Sequence, residues 1–425
     1  MKLDLLMTGN ELMSGVTVDS NSALIARLLE PLNLRVGGKL AIGDDMEQLC
    51  AEIDRLAGMA EVLIVNGGLG PTSDDLTAEA LARVAGVPLV QSEEAMRHLE
   101  QWCGRRGLAL NAANRKQAFL PQGAVLIPNR VGSAVGFRLP HRGCEIVCTP
   151  GPPGELRPML EEHILPWLAQ RYPSREPVVI TRFQLFGIGE SSLQELIRRE
   201  MPEWPAEVEL GFRAGAPLLE LKVSSFTAAA AEARRACEAR LRELLADLVV
   251  GTGDLTLASR VVELLAARGE HVALAESCTG GLIASLITEV PGASRVFEAG
   301  YVVYANRIKA RALGVAEATL EAHGAVSEQV VREMAAGALR ESGAEHALAV
   351  SGIAGPDGGT PGKPVGTVWI AWGRAENIRA RELYFPVARK LFQTMVAATA
   401  LDLLRRDLEG ITGEPRYFRE RRVPR

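Results

Sequence analysis

Apolar positions in the first 170 residues alternate between two periods, which predicts alternating strands and helices. Leu3 to Thr8 reads as a short strand, and Asn21 to Leu32 as an amphipathic helix. Leu34 to Ile42 reads as a second strand and Met46 to Met59 as a second helix. Val62-Leu63-Ile64-Val65 is an unbroken β-branched and aliphatic run ending in Asn66-Gly67-Gly68, the pattern of a parallel strand buried on both faces. A helix from about Asp75 to Val84 and a strand from Glu145 to Cys148 follow. This alternation predicts a doubly wound α/β domain over 1–170, with ligand sites at the carboxyl ends of its strands.

The pattern breaks at Arg171 to Pro177, which reads as a linker. Next come a strand (Val178 to Phe186), a helix (Ser191 to Arg199), a strand pair (Val208 to Phe212, Leu218 to Ser224) and a helix (Ala228 to Leu245). These form a small α+β module over 175–250. Val250-Gly251-Thr252-Gly253-Asp254 marks a second boundary, and 254–410 reads as a further α/β domain opening with a helix at Thr256 to Arg268. A chain of 425 residues exceeds one ordinary core, in keeping with two or three domains.

Composition narrows the function classes. A net charge of -5 gives no electrostatic reason to expect nucleic acid, and no apolar run is long enough to span a bilayer. Met1 to Met7 is too short for a signal peptide. Six scattered cysteines, with only Cys144 and Cys148 close, suit small buried side chains in a reducing cytoplasm better than a zinc site.

The sharpest chemistry lies in the last domain. His271 to Ala275 reads as a strand and Gly281 to Val290 as a helix, with Glu276-Ser277-Cys278-Thr279-Gly280-Gly281 between them. A serine there stands before the amides of a helix N-terminus, which can receive an oxyanion or a phosphate. A helix cap uses the same residue types, and Cys278 is a rival nucleophile. Phe297 to Tyr304 reads as a strand and Asn306 to Leu313 as a helix, so Tyr304 and Lys309 are expected on the rim of Ser277. A buried neutral lysine can deprotonate a serine. A third glycine-rich loop, Ser351 to Gly359, follows the strand Ala347 to Val350.

In the first domain, Asn66-Gly67-Gly68-Leu69-Gly70-Pro71-Thr72-Ser73-Asp74-Asp75 follows the best strand. Its glycines can cradle a pyrophosphate, and Asp74 and Asp75 can hold a divalent metal, or Asp74 can cap the helix with Asp75 as a favourable first-turn charge. Glu11, in the loop after the first strand, is a third candidate metal ligand or a solvated acid. Thr149 to Glu155 forms a proline-rich loop.

The motifs at 275–281, Tyr304-Ala305-Asn306 with Lys309, Gly324-Ala325-Val326-Ser327 and Ser351 to Gly359 resemble the nicotinamide-nucleotide amidase domain of the CinA (competence/damage-inducible protein) family. The resemblance implies hydrolysis of nicotinamide mononucleotide to nicotinate mononucleotide and ammonia without a metal. It implies Ser277 as nucleophile assisted by Tyr304 and Lys309, and substrate contacts from Cys278, Thr279, Gly280, Gly281, Gly352 and Gly355. Val18 to Asn21, Gly67 to Asp75, Asn114 to Ala118 and Pro150 to Glu155 resemble the molybdopterin-binding-like domain of the same family. That implies a metal-dependent ADP-ribose pyrophosphatase, with Gly67, Gly68, Gly70 and Thr72 on the substrate and Asp74, Asp75 and Glu11 on the metal. Val135 stands where the resemblance leads one to expect proline.

The middle module resembles a KH-type domain. Its Phe186-Gly187-Ile188-Gly189-Glu190 loop lacks the Gly-x-x-Gly spacing that grips nucleic acid, which favours an interdomain or dimerisation role. A cytoplasmic homodimer acting on small nucleotides in pyridine nucleotide recycling is therefore expected. The competing reading is a non-catalytic molybdopterin-like or nucleotide-binding protein linked to competence or DNA damage.

Overall fold

The computed structural model describes residues 2–173 and 178–423; most of the linker expected at 171–177 lies outside them. The chain divides into two compact units, Met1–Val179 with Phe226–Ala228, and Ile180–Ser225 with Ala229–Arg425.

The first unit is built on a six-stranded sheet. Its order is Val36–Ile42, Leu3–Thr8, Val62–Asn66, Cys144–Thr149, Gly136–His141 and Val125–Ile127. The first four strands are parallel, and the last two are antiparallel additions at one edge. Alternate side chains of the central strands feed two separate cores. Leu6, Leu63 and Val65 join one, while Leu3, Leu5, Met7, Val62 and Ile64 join the other. Helices covering both faces explain why the Val62 run is apolar without alternation.

From Leu3–Thr8 the chain goes outward to Val36–Ile42 on one side and then crosses to Val62–Asn66 on the other. The carboxyl ends of the first and third strands therefore diverge at a switch point, where open α/β sheets leave a crevice.

The second unit repeats that order. Its sheet runs Phe297–Val302, Val272–Glu276, His346–Gly352, Thr367–Arg374 and Asn377–Tyr384, with three parallel strands followed by two antiparallel ones. One face presents Val272, Leu274, Leu348 and Val350; the other presents Ala273, Ala275, Ala347 and Ala349. The alanine face faces a core that the Glu328–Ser342 helix shares through Val330, Val331, Met334 and Ala335.

The α+β module belongs to the same unit. Its four strands lie in the order Glu209–Ala214, Leu219–Ser225, Val179–Leu185 and Val249–Thr252. It is tied to the long Arg389–Leu408 helix by Arg405, fully buried, which donates to the carbonyls of Asp247 and Val249. Gly187, at φ +88°, leaves no room for a side chain beside the Tyr417 ring, and Phe186 meets that ring edge-on at 5.6 Å. Among the described residues no helix is long and apolar enough to cross a membrane.

Candidate functional sites

Ser277 follows the central Val272–Glu276 strand, at the switch point of the second sheet. Its N–H donates to Val350 O at 3.1 Å, fixing the loop to the neighbouring strand end. Lys309 lies one turn into the Asn306–Leu313 helix and is 1% exposed. Its Nζ stands 3.2 Å from Ser277 Oγ, 2.9 Å from Val303 O and 3.0 Å from Tyr304 O. Among the described residues no carboxylate pairs with it. Burial holds the amine below the ordinary lysine range. Nζ donates to all three oxygens; loss of one proton leaves two N–H bonds for the carbonyls and a lone pair towards the serine hydroxyl.

Cys278 is buried, and loss of hydration pushes its thiol up to about 12, so it is not a thiolate nucleophile near neutrality. Thr279 is equally sealed, and its hydroxyl donates to Glu276. Gly280 and Gly281 carry φ of +64° and +98°, which turn the loop back into the helix at Leu282. Gly352 packs against Val368, where a side chain would collide.

The Tyr304 expectation needs correction. The strand ends at Val302, two residues early, and Tyr304 turns outward with 63% exposure. Its backbone carbonyl holds Lys309, while its hydroxyl accepts from Arg389 at 3.3 Å and forms no bond with Ser277. The helix amides expected to face an oxyanion are also occupied. Gly281, Ile283 and Ala284 donate theirs to the Glu276 carboxylate.

Two further residues were missed because they come from a distant helix. Arg389 donates to Gly355 O at 2.9 Å and has no carboxylate partner among the described residues. One turn later, Gln393 donates to Cys278 O at 2.9 Å. Sequence spacing carries no signal for a contact spanning 115 residues. In the Gly324 to Ser327 motif, Ser327 caps the Glu328–Ser342 helix, and Ala325 O accepts from Ser351.

In the first unit, a cavity of about 350 Å³ opens at the switch point between Leu3–Thr8 and Val62–Asn66. Gly67, Gly68, Gly70 and Thr72 line it, together with Glu11, Asp74 and Asp75. Glu11 sits on a short helical turn, Asn10–Met13, where a plain loop was expected. Asp75 Oδ2 accepts from Thr72 N at 2.8 Å and from the Thr72 hydroxyl at 2.5 Å, stapling the glycine loop, and among the described residues no side chain caps the Thr77–Ala85 helix. Lys116 holds the same loop by donating to Thr72 O and Asp75 O.

Asp44 and Glu155 are two further acids on the cavity, and Glu155 accepts from Asn129. Asp44 was not expected there. Burial raises its carboxyl above the ordinary range, and the charges of Glu11, Asp74 and Asp75 add to the rise. Its sequence neighbour Asp45 instead caps the Met46–Ala57 helix. The structure thus gathers the predicted acids around one cavity without making them a preformed cage. Among the described residues, no three histidine, cysteine, aspartate or glutamate side chains group closely enough to hold a cation.

Comparison with known proteins matches both halves. Residues 254–408 fit the CinA C-terminal domain, and residues 4–170 fit a probable molybdopterin binding domain. A CinA-like protein of Colwellia psychrerythraea is 48% identical over 99% of this chain and 98% of its own length. A CinA-like protein of Anaeromyxobacter is 43% identical over 95% and 98%. Among solved structures, a competence/damage inducible protein of Agrobacterium tumefaciens is 43% identical, covering 36% of this chain and 93% of its own, with a TM-score of 0.35.

Proposed function

We propose that this chain, which belongs to the CinA family, hydrolyses the carboxamide of nicotinamide mononucleotide in its C-terminal domain. One observation carries the reading: a buried lysine amine 3.2 Å from the hydroxyl of a serine at a sheet switch point, with no acid to keep it charged. Ser277 Oγ attacks the carboxamide carbon as its proton passes to Lys309 Nζ. The C–N bond then breaks, and ammonia leaves with that proton. Water attacks the acyl ester with Lys309 again as base, releasing nicotinate mononucleotide and restoring Ser277. Arg389, a cation without an acidic partner beside this loop, suits the 5′-phosphate. Tyr304 contributes by its carbonyl, which orients Lys309, and by its exposed ring at the mouth.

The test is ammonia release from nicotinamide mononucleotide by the full-length protein without added metal. Ser277→Ala is expected to abolish it; wild-type turnover in that variant would remove the assignment.

The acid-lined cavity of the N-terminal domain supports a second activity, metal-assisted cleavage of ADP-ribose. The donor set suits a hard divalent cation held by one or two carboxylates and completed by phosphate oxygens and water, rather than an all-protein cage. One or two of Asp44, Asp74, Asp75 and Glu11 would hold it, and it would offset the charge of the diphosphate. The chain's own part is to present the amides of Gly68 to Gly70 to the phosphates, the Gly67 amide being taken by Thr149 O, while Asp75 and Lys116 keep that loop in shape. The middle module serves packing in this reading, since its Gly187 loop is closed against Tyr417.

A further inference from the structure

We infer that Glu276 is a positioning residue that reserves the backbone N–H groups of Cys278 and Thr279 as the oxyanion donors for Ser277. The inference rests on the reading of Ser277 as nucleophile and extends it to a residue and a pair of amides.

Glu276 ends the central strand and is 1% exposed. Four donors converge on its carboxylate. Oε2 accepts from Thr279 Oγ1 at 2.6 Å and from the amides of Gly281 and Ile283 at 3.1 Å each; Oε1 accepts from Ala284 N at 2.9 Å. Among the described residues no basic side chain balances it, so the helix N-terminus and the hydroxyl are its counter-partners. An oxyanion forming at that helix end would meet a fixed carboxylate and amides already engaged.

The other amides of the loop are accounted for as well. Ser277 N serves Val350 O, Gly280 N serves Ser277 O and Leu282 N serves Thr279 O. From Ser277 to Ala284, only the N–H groups of Cys278 and Thr279 have no acceptor on another residue among the described residues, the Cys278 N–H meeting only its own sulfur. Their directions are constrained by peptide planarity. The Cys278 carbonyl accepts from Gln393, so the Thr279 N–H of the same peptide points the opposite way. The Ser277 carbonyl accepts from Gly280 N, which likewise directs the Cys278 N–H away from the turn. The amide that follows a nucleophile is a recurrent oxyanion donor. Glu276 and Gln393 thus hold the loop from its two sides and leave these two donors open.

Glu276→Gln keeps the shape of the side chain but turns an amide NH₂ towards backbone donors. In full-length protein, the expected result is a fall in kcat for ammonia release of about 10²-fold, the scale of one lost oxyanion donor, with KM within about threefold. Glu276→Asp should recover part of the loss. A second readout is the rate at which a fluorophosphonate labels Ser277; the serine oxygen displaces fluoride and the phosphoryl oxygen takes the oxyanion position. Labelling should slow in parallel, while thermal melting shows the variant folded.

A folded Glu276→Gln protein that labels at the wild-type rate would overturn the inference even if ammonia release by the wild type stands. Conversely, a wild type that makes no ammonia, yet labels Ser277 in a Glu276-dependent way, would discard the substrate and keep the inference. Should Glu276→Gln not fold, Gln393→Leu decides. A labelling rate lowered about tenfold or more is expected, and an unchanged rate overturns the proposal.

Discussion

The two rims are built alike and charged differently. In each sheet the chain leaves a central strand, places its second strand on one side and its third on the other, and opens a switch point where loops gather. At the N-terminal switch point five carboxylates line a cavity of about 350 Å³, and burial with mutual repulsion raises Asp44. At the C-terminal switch point the Glu276 carboxylate is consumed by helix amides, and an amine with no carboxylate partner among the described residues touches a serine. One topology therefore supports two kinds of chemistry, because strand order fixes only where the loops meet. Whether charge is left open to a ligand or closed internally decides what they do there.

The largest effect expected from breaking this contrast lies at Lys309. Lys309→Met and Lys309→Arg should each lower ammonia release by about 10³–10⁴-fold, the scale of a lost general base, and leave ADP-ribose cleavage untouched. The pH profile sharpens the point. Burial lowers the Lys309 pKa, so the active neutral amine gains population as pH rises through that lowered value and loses it below. Wild-type kcat/KM should climb with pH accordingly. Arginine stays charged throughout, and the residual rate of Lys309→Arg should show no such climb. A wild-type profile flat from pH 6 to about 9.5 would remove the neutral-lysine mechanism.

The next effect concerns the other rim. Asp44→Asn relieves repulsion among the cavity acids and removes one hard ligand. AMP release from ADP-ribose at limiting magnesium should fall about 10–100-fold and recover in part as magnesium is raised. Ammonia release should not change. A loss indifferent to magnesium concentration would mean that Asp44 acts through Asn10, whose amide it accepts at 2.9 Å, and not through a cation.

These sites were legible in the chain to different depths. Strands buried on both faces announce themselves by unbroken apolar runs, and Val62–Asn66 and Val272–Glu276 fall within a residue of where periodicity puts them. Ser277 and Lys309 were legible because each follows its strand by a short local path. Tyr304 was misjudged by two residues of strand length, enough to turn its ring from the rim to solvent. Two aspartate doublets after strands look identical in sequence, yet each divides its labour. Asp45 caps a helix while Asp44 faces the cavity; Asp75 staples a loop while Asp74, steadied by the Thr72 hydroxyl, lines the cavity. Which member of a doublet turns inward depends on the helix start, and boundaries of that kind are set by packing. Glu276 was hidden because its partners lie up to eight residues on, around a glycine turn.

The smallest effect belongs to Cys278, and it closes the question of which neighbour is the nucleophile. Burial pushes the thiol up to about 12, so near neutral pH it is held protonated. Its backbone works harder than its side chain: the carbonyl holds Gln393 and the N–H faces the proposed oxyanion. Cys278→Ala preserves both and removes only the sulfur. The expected outcome is ammonia release within about threefold of wild type, with a small fall in melting temperature from the cavity left behind. Iodoacetamide should leave activity intact on the time scale of the assay, since the attacking species is scarce and sealed from solvent. A loss beyond tenfold together with alkylation-dependent inactivation would transfer the nucleophile to Cys278, and Lys309 would then be the base for a thiol.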